Sequence, residues 1–186
     1  ILISPSTSPS AEPSDVATTQ TAPIPAGLES FYTQKLDWSK CNDTFQCTTL
    51  SVPLDYANPA GEAISLKVIR LRAKEPKAAI LLNPGGPGGS GIDYVKAAEY
   101  VTTARLRKNF DIVGFDPRGV ASSTPVKCLT DKQTDELIAA DGSPDNSSEI
   151  KHITDLMETM ASECAAKSSP LYEHVDTVSA ARDIDV

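Results

Sequence analysis

From Asn83 to Gly91 the chain reads Asn83-Pro84-Gly85-Gly86-Pro87-Gly88-Gly89-Ser90-Gly91, five glycines and two prolines in nine residues. Glycine permits positive φ and close backbone approach, while proline fixes the rest of a turn. Such a stretch propagates neither helix nor strand, so it forces a rigid turn between the elements on either side. Its amide N–H groups are then able to point into a common space at the C-terminal edge of a sheet, beside a helix N-terminus. Donors so arranged suit an anion that forms during a reaction. A dinucleotide fingerprint is excluded, because the G-x-G-x-x-G spacing is absent where the helix begins and no acid closes the next strand at the required place. A Walker loop is excluded too, because no Gly-Lys-Ser/Thr follows. The remaining alternative is a purely structural tight turn.

The flanks of this turn predict a βαβ unit. Ala78-Ala79-Ile80-Leu81-Leu82 and Ile112-Val113-Gly114-Phe115 are short continuous apolar runs, as in parallel strands buried on both faces. Between them, Tyr94, Ala97, Ala98, Val101 and Ala104 give a helical stripe over 91–106, with a right-handed crossover expected. Upstream, Phe45 to Leu54 alternates and stops at Pro53, which suggests a short edge strand. The turn Asn58-Pro59-Ala60-Gly61 leads to a longer strand carrying Ile64, Leu66, Val68, Ile69 and Leu71, and the two strands form a hairpin.

Past Pro125 the pattern becomes helical. Thr130 with Gln133, and Asn146 with Glu149, have capping-box spacing. The second opens an amphipathic helix whose Ile150, Ile153, Met157, Met160, Ala161 and Cys164 predict a core-facing stripe, with the two methionines filling gaps. Ser168-Ser169-Pro170 ends it, and a last helix starts near Thr177 and is still running at Val186. The fold class is α/β. With two antiparallel and two parallel strands the sheet reads as interrupted, since a layered α/β fold normally needs more strands to bury its interior.

Residues 1–27 are dominated by Ser, Thr, Pro and Ala and carry no apolar periodicity, so they predict a disordered linker ahead of a folded domain over 28–186. Ile1-Leu2-Ile3 fits either the tail of a signal-peptide core or a trimmed end. No later segment approaches the roughly 18 consecutive apolar residues of a membrane span. The net charge of -8 argues against nucleic acid or an anionic membrane as partner. Cys41, Cys47, Cys128 and Cys164 match neither C-x-x-C redox motifs nor zinc-ligand pairs, and their even number favours disulfides. Of three connectivities, Cys41 to Cys47 and Cys128 to Cys164 is chosen because each pair brackets a separate local segment. The pairing predicts an extracytoplasmic protein. Asn42-Asp43-Thr44 and Asn146-Ser147-Ser148 fit a glycosylation sequon, a pattern too short to carry weight.

Three stretches together make a specific resemblance: Asn83 to Gly91; Phe110-Asp111-Ile112-Val113-Gly114-Phe115-Asp116-Pro117-Arg118-Gly119-Val120; and Ser123-Thr124-Pro125-Val126-Lys127-Cys128. They resemble the α/β-hydrolase family of secreted tripeptidyl aminopeptidases and their prolyl-iminopeptidase relatives. Cys47 to Tyr56 is similar to that family's opening strand, and Thr177 to Asp185 to the helix leading to its nucleophile strand. The likeness runs through residues 36–186 and implies the N-terminal half of an α/β-hydrolase fold, truncated before the nucleophile elbow. One departure is Ala121, where the family usually has glycine, which implies a slightly shifted turn.

The resemblance implies that the N–H of Gly86, placed by Gly85, is one oxyanion donor, the second lying just after the nucleophile. It implies a G-x-S-x-G elbow followed by an acid and then a histidine, and no G-x-S-x-G occurs in the sequence. Ser90 therefore reads as loop or helix N-cap. His152 and His174 are in the wrong chain order for the triad histidine, and Asp116 and Arg118 take an architectural role in shaping their turn. The expectation is a serine aminopeptidase releasing short peptides, inactive as these residues alone, with no metal or organic cofactor implied. An esterase or lipase of the same fold, acting on small esters, and a non-catalytic secreted binding module are the alternatives.

Overall fold

The computed structural model describes residues 22–41 and 44–186. Most of the Ser/Thr/Pro-rich segment, and the sequon at Asn42, lie outside the described residues. The chain forms a five-stranded mixed sheet with helices, an α/β arrangement with strand order β1-β2-β3-β5-β4. The elements are α1 (Glu29–Tyr32), β1 (Ser39–Lys40), β2 (Phe45–Pro53), β3 (Ala63–Leu71), β4 (Ala78–Leu82), α2 (Gly91–Lys96), α3 (Ala98–Val101), α4 (Ala104–Asn109), β5 (Phe110–Phe115), α5 (Asp131–Ala139), α6 (Ser147–Ser168) and α7 (Thr177–Asp185), with a 3-10 turn at Leu171–His174.

The hairpin forms as the alternation predicts. β2 and β3 pair antiparallel from Phe45↔Leu71 to Pro53↔Ala63. The two-residue β1, which the sequence reading missed, pairs with β2 across the Cys41–Cys47 disulfide. Period-two alternation sends Ile64, Leu66 and Val68 to one face, where they pack with Val52, Leu54, Phe115 and Leu171. Ile69 goes to the other face, against Val95, Ala98 and Ile112. β5 lies between β3, which it pairs antiparallel, and β4, which it pairs parallel. β4 and β5 were expected to be buried on both faces. β5 buries Ile112, Gly114 and Phe115, but β4 is an edge strand among the described residues, and Leu81 is exposed.

The single helix expected over 91–106 is instead three short ones. The β-branched run Val101-Thr102-Thr103 disfavours continuous helix. Thr102 and Thr103 are extended, and the Thr103 side chain restarts α4 by accepting from the Leu106 amide. The inward stripe also differs from the expected one. Tyr94 and Val101 are exposed, while Gly91, Val95 and Ala98 are buried. The cause is backbone contact between α2 and β5. A Cβ on Gly91 would lie 2.1 Å from the Phe115 carbonyl oxygen, and one on Gly114 would lie 2.6 Å from the Gly91 carbonyl oxygen. This close approach turns the positions i, i+4 and i+7 from Gly91 toward the sheet.

α6 keeps Ile153, Met160 and Cys164 of the expected stripe but not Ile150, Met157 or Ala161. Cys164 is its buried residue, Ile153, Leu156 and Met160 are half-buried, and Ile150 and Met157 are exposed. Met157 is therefore no core gap-filler. The Thr130–Gln133 capping box is complete. At Asn146 the cap is one-sided: its side chain accepts from the Ser148 and Glu149 amides, while Glu149 reaches back to the Asp145 amide. The second disulfide joins Cys128 to Cys164, so both expected pairings form and tie α6 to the segment after β5. No helix among the described residues is long and apolar enough to cross a membrane.

Candidate active site

The glycine–proline turn leaves the C-terminal end of β4, and its residues from Asn83 to Gly88 are solvent-exposed. Gly85, Gly86 and Gly88 have φ of 73°, 135° and 89°, values that an L side chain rarely tolerates. The Asn83 side-chain oxygen accepts from the Gly85 amide at 3.1 Å, and the Gly85 carbonyl accepts from the Gly89 amide at 3.1 Å. Gly85 is thus tied within the turn, whereas the exposed Gly86 N–H donates to no acceptor among the described residues.

Ser90 ends the turn as the N-cap of α2, accepting from the Asp93 amide at 3.1 Å. Its hydroxyl donates to Asp116 Oδ1 at 2.6 Å. Asp116 follows β5 and is 1% exposed; it also accepts from the Ile92 amide at 3.3 Å and the Ser122 amide at 2.9 Å. The turn after β4 and the turn after β5 therefore meet on one carboxylate. The second turn is held further by Ser123, fully buried, whose Oγ accepts from the Lys67 amide at 2.7 Å.

Arg118 sits two residues beyond Asp116 and is 3% exposed. Nε and Nη2 donate to the two Asp183 carboxylate oxygens at 2.8 and 2.6 Å. The other three N–H groups reach the carbonyls of Pro53, Leu54 and His174 at 3.1, 2.9 and 3.1 Å. All five guanidinium donors are then engaged. Burial works against the cation, but the Asp183 hydrogen bonds and charge outweigh it and hold Arg118 above its ordinary pKa. The Tyr56 hydroxyl donates to Asp183 at 2.9 Å, and burial, with the Asp183 charge, raises its pKa well above that of a free phenol. At the start of α7, hydrogen bonds from Ser179 and Val178 lower the Asp176 carboxyl to about 2.

Asp183 was not singled out from the sequence. The signal was present: Ser179, Ala180, Asp183 and Val186 fall at helical spacing, and the structure turns all four inward. An acid in the small and apolar stripe of a short helix asks for a buried partner. Ala121 has φ of 43° and Thr124 of 50°, so the turn after β5 holds two non-glycine residues in the left-handed region. Ala121 is thus strained where a glycine would not be. The histidines are elsewhere: His152 lies exposed on α6 in a cleft with Gln133, Glu136 and Asp155, and His174 contributes its carbonyl to Arg118. No group of three or more His, Cys, Asp and Glu able to hold a metal occurs among the described residues.

No family model matches the sequence. Known proteins do. Over 165 aligned residues, 80% of this chain, it is 36% identical to carboxylesterase B of Mycobacterium tuberculosis. It is 35% identical over 81% of its length to a tripeptidyl aminopeptidase of Streptomyces lividans, and 36% identical over 82% to serine protease Hip1 of M. tuberculosis. Over four fifths of its own length the chain is thus similar to members of a serine hydrolase family. It spans 31%, 30% and 32% of those relatives' lengths. The two turns joined by Asp116 carry Asn83–Gly91 and Asp116–Val120, two of the motifs that make up the resemblance.

Proposed function

We propose that these residues are the N-terminal part of an α/β-hydrolase and supply one half of an oxyanion hole, the N–H of Gly86 oriented by Gly85. The carrying observation is that exposed amide, aimed off a turn whose neighbouring amide and carbonyl are already occupied. In the reaction a serine attacks a carbonyl carbon, a histidine takes the serine's proton and later gives it to the leaving group, and the oxygen gains charge. A donor fixed beforehand at that oxygen stabilises the transition state more than the ground state. No G-x-S-x-G occurs in the sequence, so on this reading serine, acid and histidine come from other residues of the full-length protein and the 186 residues alone are inactive.

The favoured substrate class is a peptide cleaved near its N-terminus, supported by the tripeptidyl aminopeptidase and serine protease relatives. An ester is the second reading, supported by the carboxylesterase B relative at similar identity. The same oxyanion geometry serves both. Two disulfides support an extracytoplasmic location, with residues 1–27 as a linker and 28–186 as the folded part. Turnover by the full-length protein of a tripeptide p-nitroanilide and of p-nitrophenyl butyrate separates the readings, the peptidase reading failing if the ester is faster by a wide margin. Gly86→Ala puts a side chain at φ of 135° and is expected to lower kcat by roughly 10²–10³-fold. An unchanged kcat sinks the oxyanion assignment, and no turnover of either probe leaves a binding module.

A further inference from the structure

We propose that Asp116 is the positioning residue of the oxyanion turn, an inference that rests on the hydrolase reading above. Its carboxylate gathers three donors from two separate turns: Ser90 Oγ and the Ile92 amide on Oδ1, and the Ser122 amide on Oδ2. Among the described residues it makes no ion pair, the neighbouring Arg118 being committed to Asp183 and three carbonyls. A buried carboxylate without a counter-ion is costly unless hydrogen bonds replace its water. Here they do, so the two turns are held by the same group that needs them.

The choice of aspartate follows from the direction of those bonds. All three partners donate, and an ionised carboxylate only accepts, on both oxygens. An amide of the same shape offers one accepting oxygen and one NH2, so asparagine must turn its NH2 either toward Ser90 and Ile92 or toward the Ser122 amide, all of which are donors. One turn then goes unheld. Ser90 is the transmitting residue, since its hydroxyl donates to Asp116 while accepting from the Asp93 amide. The exposed stretch that carries Gly86 is therefore anchored at its C-terminal end by Ser90, and Asp116 sets the orientation of that anchor. A misplacement of about 1 Å at a reacting group costs on the order of 10²-fold in rate.

The test uses the full-length protein with Asp116→Asn, Ser90→Ala, Ser90→Thr and the Asp116→Asn/Ser90→Ala double variant, on whichever of the two chromogenic probes wild type turns over faster. Asp116→Asn is expected to lower kcat about 10- to 100-fold with KM within about twofold, the pattern of an interaction expressed only in the transition state. Ser90→Ala gives a smaller loss, Ser90→Thr restores kcat to within about twofold, and the double variant is no worse than Asp116→Asn alone, as expected of groups acting as a unit. Wild-type kcat in Asp116→Asn, a rise in KM alone, or losses that multiply in the double variant overturn the proposal. If Asp116→Asn does not fold, the serine pair decides: equal kcat in Ser90→Ala and wild type overturns it, and loss with rescue by threonine supports it. A wild-type protein that turns over neither probe overturns the hydrolase reading itself, a failure visible before any variant is made.

Discussion

The sheet with its two turns and the helical pair α5–α6 are stabilised in different ways. On the sheet side Leu66 and Ile112 are fully buried, Asp116, Arg118 and Asp183 are at most 3% exposed, and no buried side-chain polar atom among the described residues lacks a partner. In the helical pair α5 buries no residue and the 22-residue α6 buries only Cys164. The first region is specified by packing and a closed hydrogen-bond network. The second rests on local capping, a half-buried stripe, and one covalent link with the hydrogen bonds of Lys167 and Ser168 beside it. The proposed oxyanion donor, which has to be held to within a fraction of an ångström, sits on a turn anchored to the first region through Ser90 and Asp116.

The largest expected effect is at the centre of the network. Arg118→Ala leaves the buried Asp183 carboxylate with the Tyr56 hydroxyl but no counter-ion, and three carbonyls without their donors, which costs about 3–5 kcal/mol. Tyr56 and the α7 end should loosen with it. Chemical denaturation of the full-length protein reads this as a lower midpoint, and a change below about 1 kcal/mol would mean that the sheet side is held by apolar packing alone. Replacing both partners by apolar residues should recover only part of the loss, because the buried charge disappears while the three carbonyls and the Tyr56 hydroxyl stay without partners.

The helical pair should respond most to its staple. Closing a segment of 36 residues, Cys128–Cys164 restricts the unfolded chain by about 4 kcal/mol in the chain-entropy picture, against about 2 for the six-residue separation of Cys41–Cys47. Serine at both Cys128 and Cys164 should raise amide hydrogen exchange over 131–168 while β2, β3 and β5 keep their protection. Equal loss of protection in both regions would show that the helices are integral to the core and erase the contrast.

The sequence was most legible where periodicity and chemistry coincide. Hairpin, parallel pair, both disulfides and the Ser90 cap follow from alternation, apolar runs, local bracketing and N-cap preference. The helical faces were read in part: Ala98, Ile153, Met160 and Cys164 turn inward as expected, while Val95 stands inward in place of Tyr94 and Leu156 in place of Met157. A helix stripe is fixed by what it packs on, and here the Gly91–Gly114 approach, invisible to hydrophobicity, set the rotation of α2. Asp183 was missed for a related reason: its partner lies 65 residues away, and only the fold brings them together. The rigid turn around Gly86 was readable because glycine and proline dictate backbone directly, whereas Gly86 as the donor came from the family resemblance alone, and what meets that amide is not encoded in the turn.

The smallest expected effect sharpens the contrast within the sheet side itself. Ala121 lies in the turn that supplies Ser122 to Asp116, and its φ of 43° places it in the left-handed region. An L residue there carries roughly 1 kcal/mol of strain from Cβ against its own carbonyl, which glycine lacks. Against this, glycine gives the unfolded chain more freedom, by about 0.4–1 kcal/mol. The two terms nearly cancel, and Ala121→Gly is expected to change stability by no more than about 0.5 kcal/mol, with strain relief setting a positive sign. If the denaturation midpoint falls instead, the left-handed conformation is not what the surrounding network imposes, and Asp116 holds that turn less firmly than its contacts indicate.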